Sequence, residues 1–233
     1  MTRLEKTAQL VGYSSLERYA MKARFLFDGI QIKDKDVLDI GCGKGAWLLW
    51  AVQHGAKFSV GIEPEIEGST KGTLSALNSA IIELGLDGTW ISGCKLYDLP
   101  YGNFDIAILH NVINHLDERN VQLLHNNSAA VRLYADMIMR DLFSRLKNGA
   151  WVIVADCMRT NFWNMIGLES PLARGIEWHK HQNPGIWRDV FTQAGFNFVD
   201  LRWSPLQPFP RITSNRLVQF LTSSHFVMRF QKP

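Results

Sequence analysis

The stretch Val37-Leu38-Asp39-Ile40-Gly41-Cys42-Gly43-Lys44-Gly45 constrains this chain more than any other. A short apolar run, of the kind that forms a buried strand, passes through three alternate glycines into Ala46-Trp47-Leu48-Leu49-Trp50-Ala51-Val52. That segment has helical character and stops at Gly55. Glycine adopts positive φ at no steric cost and lets ligand atoms approach the backbone where a Cβ would block them. Strand, glycine turn and helix in that order imply a ligand seat at the carboxyl end of the first strand, where open α/β sheets bind.

The rest of the chain keeps the same rhythm. Further apolar, β-rich runs occur at Phe58 to Ile62, Thr89 to Ser92, Phe104 to Leu109 and Trp151 to Ala155. Between them, Thr70 to Leu84 is amphipathic and ends at Gly85. Such alternation predicts buried parallel strands with helices packed on them. A helix is expected after the fifth strand, with Asn183 as its cap, Pro184 at its first position and Gly195 at its end. Two more strands, Phe198 to Trp203 and His225 to Phe230, are separated by a Pro-rich and polar stretch from Pro205 to Asn215. Residues 1–34 read as an N-terminal segment of one or two helices, and 117–146 as a helical insertion broken near Asn126-Asn127-Ser128. With no repeat and no linker composition, one domain over residues 1–233 is expected.

Composition narrows the function. Apolar residues make up 46% and charged residues 20%, an ordinary globular balance. The 25 basic and 22 acidic residues are dispersed, without the basic block that a nucleic-acid partner would need. The opening Met1-Thr2-Arg3-Leu4-Glu5-Lys6 is polar, and no apolar run reaches the ~18 residues of a membrane span. Cys42, Cys94 and Cys157 have no CxxC spacing and suit free thiols in a reducing compartment. A cytoplasmic protein with neither membrane nor nucleic-acid partner is expected, its oligomeric state open.

Gly61-Ile62-Glu63-Pro64-Glu65 ends the second strand with a carboxylate. Glu63 at that place can accept both hydroxyls of an adenosyl ribose, and hydrogen bonds to a charged group contribute about 1.5–3 kcal/mol each. Adenosylmethionine and a nicotinamide dinucleotide are both compatible with this pair of features, because Gly41 to Ala46 also satisfies GxGxx(G/A). Asp39, inside the strand just before the glycines, and the blocks downstream favour the former.

Taken together, these blocks resemble the class I S-adenosylmethionine-dependent methyltransferases from about residue 35 to the end. Val37 to Gly45 is similar to that family's first motif and Glu63 to its ribose-binding acid. Leu99-Pro100-Tyr101-Gly102-Asn103-Phe104-Asp105 is similar to the segment leading into its fourth strand. Leu146-Lys147-Asn148-Gly149-Ala150 is similar to its LKPGG turn before the fifth, with Asn148 and Ala150 departing from the pattern. The resemblance implies a doubly wound α/β fold whose seven-stranded, mostly parallel sheet has the order 3-2-1-4-5-7-6, strand seven antiparallel. It also implies S-adenosyl-L-methionine as cofactor and S-adenosyl-L-homocysteine as product. Asp39, Gly41, Cys42, Gly43, Gly45, Glu63 and Pro64 become cofactor-binding candidates, with His110 at the end of strand four. The family commonly has an Asp after strand three for the adenine amino group. Here Cys94-Lys95-Leu96 stands instead, so adenine is assigned to backbone groups around Lys95 and Leu96, or to Asp98.

Methyl transfer from a sulfonium is an in-line displacement that needs positioning and exclusion of water rather than a metal. A hydroxyl acceptor gains about 10²–10⁴-fold from a nearby base, and histidine is the natural one. Four candidates present themselves: His110 and His115 in Leu109-His110-Asn111-Val112-Ile113-Asn114-His115, and His179 and His181 in Glu177-Trp178-His179-Lys180-His181. The last two share a face if their segment is extended. Residues 159–182, with Phe162 and Trp163, and Trp187 beyond them, are expected to cover the acceptor. The expected reaction is O-methylation of a small molecule, a saccharide or secondary metabolite. Methylation at nitrogen or carbon, a non-catalytic cofactor-binding module and an NAD(P)-dependent oxidoreductase are the alternatives.

Overall fold

The computed structural model describes residues 1–65, 71–206 and 214–233. Seven strands, β1 (Asp36–Ile40), β2 (Phe58–Ile62), β3 (Thr89–Ser92), β4 (Phe104–His110), β5 (Leu146–Cys157), β6 (Asn197–Trp203) and β7 (His225–Gln231), form one sheet. Their order is 3-2-1-4-5-7-6. β1 pairs parallel with β2 and β4, β2 parallel with β3, and β6 antiparallel with β7. This is the doubly wound arrangement that the family resemblance implies. The described residues divide into two compact units, 1–109 with 145–151, and 110–144 with 152–233.

In the first unit the N-terminal segment is two helices, α1 (Arg3–Leu10) and α2 (Leu16–Phe27). Thr2 and Glu5 form a capping box on α1, and the Ser15 hydroxyl caps α2. Tyr19 of α2 is fully buried, and its hydroxyl donates to the Ala46 carbonyl at the start of α3 (Ala46–Gln53). Its ring stacks on Trp47 at 6.0 Å and meets Trp50 edge-on at 5.2 Å. The segment ahead of the sheet is thereby fastened to the helix that leaves the glycine turn. Val37, Leu38 and Ile40 of β1 are buried, each such side chain contributing about 1.5–3 kcal/mol. Leu48 and Leu49 of α3 pack with Leu77, Ala80 and Leu84 of α4 (Thr73–Leu84). The expected start of that helix, Thr70, lies outside the described residues.

One expectation is corrected at β5. Leu146-Lys147-Asn148-Gly149-Ala150 is not a turn ahead of the strand but its first part, so β5 begins at Leu146 rather than Trp151. Leu146 and Ala150 are buried, and Gly149 takes φ 79°, which lets the chain bend without leaving the strand. Lys147 explains the extension further. Its ammonium bonds Asp36 at 2.9 Å and Asp105 at 2.7 Å, clasping β5 to β1 and β4. Burial pushes the Asp105 carboxyl up, but the Lys147 bond, the Asp36 N–H and the charges of Lys147 and Lys35 together outweigh it and hold the group below its ordinary value.

In the second unit, α5 (Glu118–Val121) precedes α6 (Ser128–Tyr134), which continues through a π turn at Ala135–Met139 into α7 (Arg140–Ser144). Asn127 Oδ1 accepts the Ala129 and Ala130 N–H groups, so the polar break foreseen at 126–128 is the start of the long helix. α8 (Phe162–Met165) and α9 (Pro184–Gln193) follow β5. Pro184 opens α9 as expected, yet the Asn183 side chain does not cap it. Asn183 Oδ1 instead takes the backbone N–H and hydroxyl of Thr160 at 3.3 and 3.1 Å. Trp187, Val190 and Phe191 form the buried face of α9, with Phe191 stacked on Phe230 of β7 at 4.4 Å. A helix absent from the sequence reading, α10 (Arg216–Leu221), is capped by Asn215. Of the polar stretch before it, 207–213 lie outside the described residues. No helix among the described residues is long and apolar enough to cross a membrane.

Candidate active site

In the first unit the glycine turn has the conformation its composition demands. Gly41, Gly43 and Gly45 take φ values of 66°, 49° and 79°. They are not equivalent. A Cβ on Gly45 would fall 2.3 Å from Leu77 Cδ1, so this glycine lets α4 pack close. A Cβ on Gly43 would meet nothing within 4 Å, so the turn borders open space there, as a ligand seat requires. Gly41 and Cys42 both donate their N–H to the Ile62 carbonyl, at 2.8 and 3.1 Å, which ties the turn to β2. The Cys42 side chain points into the core against Leu48, and burial pushes its thiol pKa well up.

Glu63, just past β2, is half-buried, and its Oε2 accepts the Gly43 N–H at 3.1 Å. Its other oxygen has no partner among the described residues and remains able to accept from a ligand. Asp39 is placed otherwise. It is 1% exposed, and its Oδ2 accepts the Leu48 N–H at 3.1 Å, answering one of the unpaired amides of the first turn of α3. Burial pushes its carboxyl up to about 8; the Leu48 bond opposes the shift and the neighbouring Glu63 charge adds to it. Pro64 is half-buried. Glu65, which the sequence reading passed over, takes φ 45° and caps α4, its Oε1 accepting from Thr73 Oγ1 and Leu74 N at 2.9 Å. After β3, Ser92 Oγ accepts the Cys94 N–H at 3.2 Å. Lys95 is exposed with its ammonium 5.7 Å from the Tyr97 ring, Leu96 is buried and Asp98 exposed. Three positive-φ glycines, an open face and a carboxylate aimed at the turn fit an adenosyl cofactor.

In the second unit the four histidines stand in four environments. His110 closes β4, its ring 5.6 Å from that of His225, the first residue of β7. His225 in turn bonds Asn111 Oδ1 at 3.1 Å and Ser204 Oγ at 2.6 Å. His115 is exposed, with Nδ1 2.6 Å from Glu118 Oε1 and Nε2 3.3 Å from Asn114 Nδ2. Glu118 also holds Lys180 at 3.1 Å, and this pairing with His115 and Lys180 keeps its carboxyl below the ordinary value.

His179 and His181 do not share a face. Trp178–Lys180 is a tight 3₁₀ turn rather than extended chain, so the two rings diverge. His179 is exposed and borders a cavity of about 390 Å³ lined also by Arg159, Met165, Ile176, Glu177 and Trp178. His181 turns inward, its side chain 13% exposed, and its Nδ1 lies 3.0 Å from Asp156 Oδ1. Asp156, at the end of β5, is fully buried; Oδ1 also accepts the Cys157 N–H at 2.7 Å, and Oδ2 has no partner. A carboxylate only accepts, so the imidazole proton sits on Nδ1 and the lone pair is left on Nε2. Nothing among the described residues engages Nε2. Asp156 was missed, although it ends Val152-Ile153-Val154-Ala155 as Glu63 ends the run before it, and that signal was readable. Among the described residues no group of three His, Cys, Asp or Glu side chains could hold a metal ion.

Residues 14–201 match a family described as a methyltransferase domain. No curated protein matches the chain. Among solved structures, an S-adenosylmethionine-dependent methyltransferase from Mesorhizobium loti is similar at 16% identity, with TM-score 0.57 and coverage of 96% of this chain and 100% of that one. The magnesium protoporphyrin IX methyltransferase of Synechocystis PCC 6803, with bound S-adenosylhomocysteine, is similar at 15% identity, TM-score 0.59 and coverage of 93% and 82%. The [4+2]-cyclase SpnF is similar at 15% identity, TM-score 0.58 and coverage of 94% and 82%. At such identities these structures speak to the fold, and the match over 14–201 speaks to the family. The chain belongs to the methyltransferase-domain family and is a class I S-adenosylmethionine-dependent methyltransferase.

Proposed function

We propose that this enzyme is a cytoplasmic O-methyltransferase of a small hydroxylated molecule, a saccharide or secondary metabolite, with His181 as its base. The observation that carries the reading is the Asp156–His181 pair, in which a buried carboxylate fixes the tautomer that leaves Nε2 basic. Bound S-adenosylmethionine supplies the sulfonium methyl group. Glu63 would accept the ribose hydroxyls, the Gly41–Gly45 turn with Asp39, Cys42 and Pro64 would shape the seat, and backbone groups at Lys95 and Leu96 would border adenine. His181 Nε2 would take the proton of the acceptor hydroxyl, and Asp156 would stabilise the imidazolium that forms. An amine acceptor needs less help from such a base, which is why oxygen is preferred over nitrogen or carbon. His115 and His179, both exposed, are the weaker candidates for the base, and His110 borders the acceptor or cofactor.

The test is methyl transfer from labelled cofactor to a panel of phenols and sugars, by wild type, His181→Gln and His115→Ala. His181→Gln is expected to lower kcat by about 10²–10⁴ and His115→Ala by far less. Equal loss in both variants would move the base elsewhere. Cofactor binding without turnover of any acceptor would favour a non-catalytic module, or a reaction of another kind on the fold that the cyclase shares.

A further inference from the structure

The cavity beside His179 belongs to neither the glycine turn nor the Asp156–His181 pair, and its wall chemistry is specific. Met165, Ile176 and Trp178 give it one apolar side, Thr160 and Asn164 add polar groups, and its volume of about 390 Å³ falls within the ~300–1,000 Å³ of small-molecule sites. Two charged side chains border it, and they differ. Glu177 is neutralised by Lys180 at 2.8 Å, and that ammonium also reaches Glu118 at 3.1 Å. Arg159 has no carboxylate partner among the described residues. Its Nη1 donates to the His179 carbonyl, which anchors one arm of the guanidinium and leaves Nε and Nη2 without a partner there. A planar fork anchored on one side, with an apolar wall beside it, matches an anion of carboxylate or phosphate type attached to an apolar body. Trp178 also lies 6.4 Å, ring to ring, from His181, so the cavity wall and the proposed base are neighbours.

We infer that this cavity is an acceptor subsite in which Arg159 binds a carboxylate or phosphate of the substrate while Trp178, Met165 and Ile176 pack against its apolar part. The inference rests on the small-molecule reading above and narrows it: the acceptor is an anionic hydroxylated compound. Arg159 selects the substrate and takes no part in the proton transfer.

The experiment is calorimetric titration of the protein, saturated with S-adenosylhomocysteine, with four probes of one size: benzoate, phenyl phosphate, benzyl alcohol and benzylamine. The anions should bind about tenfold or more tightly than benzyl alcohol, and less tightly as salt rises. Benzoate or phenyl phosphate, whichever is tighter, names the source of the charge. Arg159→Gln should abolish the preference without changing benzyl alcohol or S-adenosylhomocysteine binding, Arg159→Lys should keep part of it, and Glu177→Gln should not reduce it. Equal binding of charged and neutral probes, an unchanged preference in Arg159→Gln, or tighter binding of benzylamine overturns the inference. The function reading fails separately: anion binding that depends on Arg159, with no methyl transfer to any hydroxylated acid, leaves the subsite standing and removes the reaction.

Discussion

Asp39 in the first unit and Asp156 in the second are both carboxylates buried in strands, and their partners differ. Asp39 is answered only by backbone, the Leu48 N–H of α3, and its environment drives it toward the neutral acid. Asp156 is answered by a backbone N–H and by an imidazole, and keeps one oxygen unpartnered. Burial alone does not mark a functional carboxylate. What distinguishes them is whether the partner has a second face turned to chemistry, which an amide lacks and an imidazole possesses.

Breaking the second pair should have the largest effect. Asp156→Asn lets the amide present N–H to His181, which favours the wrong tautomer, so kcat should fall by on the order of 10²-fold or more, approaching the loss of the base itself. Cofactor affinity should be unchanged, and a variant that loses both has lost its fold instead. Next in size is Glu63→Ala, expected to weaken S-adenosylmethionine and S-adenosylhomocysteine about tenfold or more by calorimetry, equivalent to ~1.4 kcal/mol. Unaltered affinity would remove Glu63 from the cradle.

The third effect, read in stability rather than in turnover or affinity, belongs to Asp39. Its folded pKa of about 8 exceeds the ordinary 3.8, so the folded state holds a proton that the unfolded chain has released. Its penalty is absent below the ordinary value and grows as pH rises toward 8. Asp39→Asn, which keeps an acceptor for the Leu48 N–H, should therefore gain Tm relative to wild type between about pH 5 and 8. The gain should widen by up to ~1.4 kcal/mol per pH unit, at about 2–4 °C per kcal/mol. A difference that does not vary with pH would show that Asp39 is ionised in the fold.

The contrast between the units also governs what the sequence revealed. β1, the glycine turn and Glu63 were readable because each signal is local: an apolar run, residues needing positive φ, a carboxylate at a strand end. The sheet order came from resemblance rather than from periodicity. In the second unit the decisive contacts join distant positions, His181 to Asp156 across 25 residues and His225 to Asn111 across 114, and no spacing announces them. Local rules there were also overridden. Asn183 had a better partner in Thr160 than in its own helix, and one 3₁₀ turn at Trp178–Lys180 separated two histidines that an extended chain would have aligned.

The Gly43 N–H bond to Glu63 bears on selectivity through timing. A free glutamate samples many rotamers, and ordering such a side chain on binding costs about 0.5–1.5 kcal/mol. Here the backbone has already chosen the orientation, so that ordering belongs to folding and not to association. If Glu63 holds the ribose as proposed, the cradle is a gauge set in advance: a ligand with two adjacent hydroxyls would find its acceptor waiting, and a ligand without them would gain nothing from the arrangement.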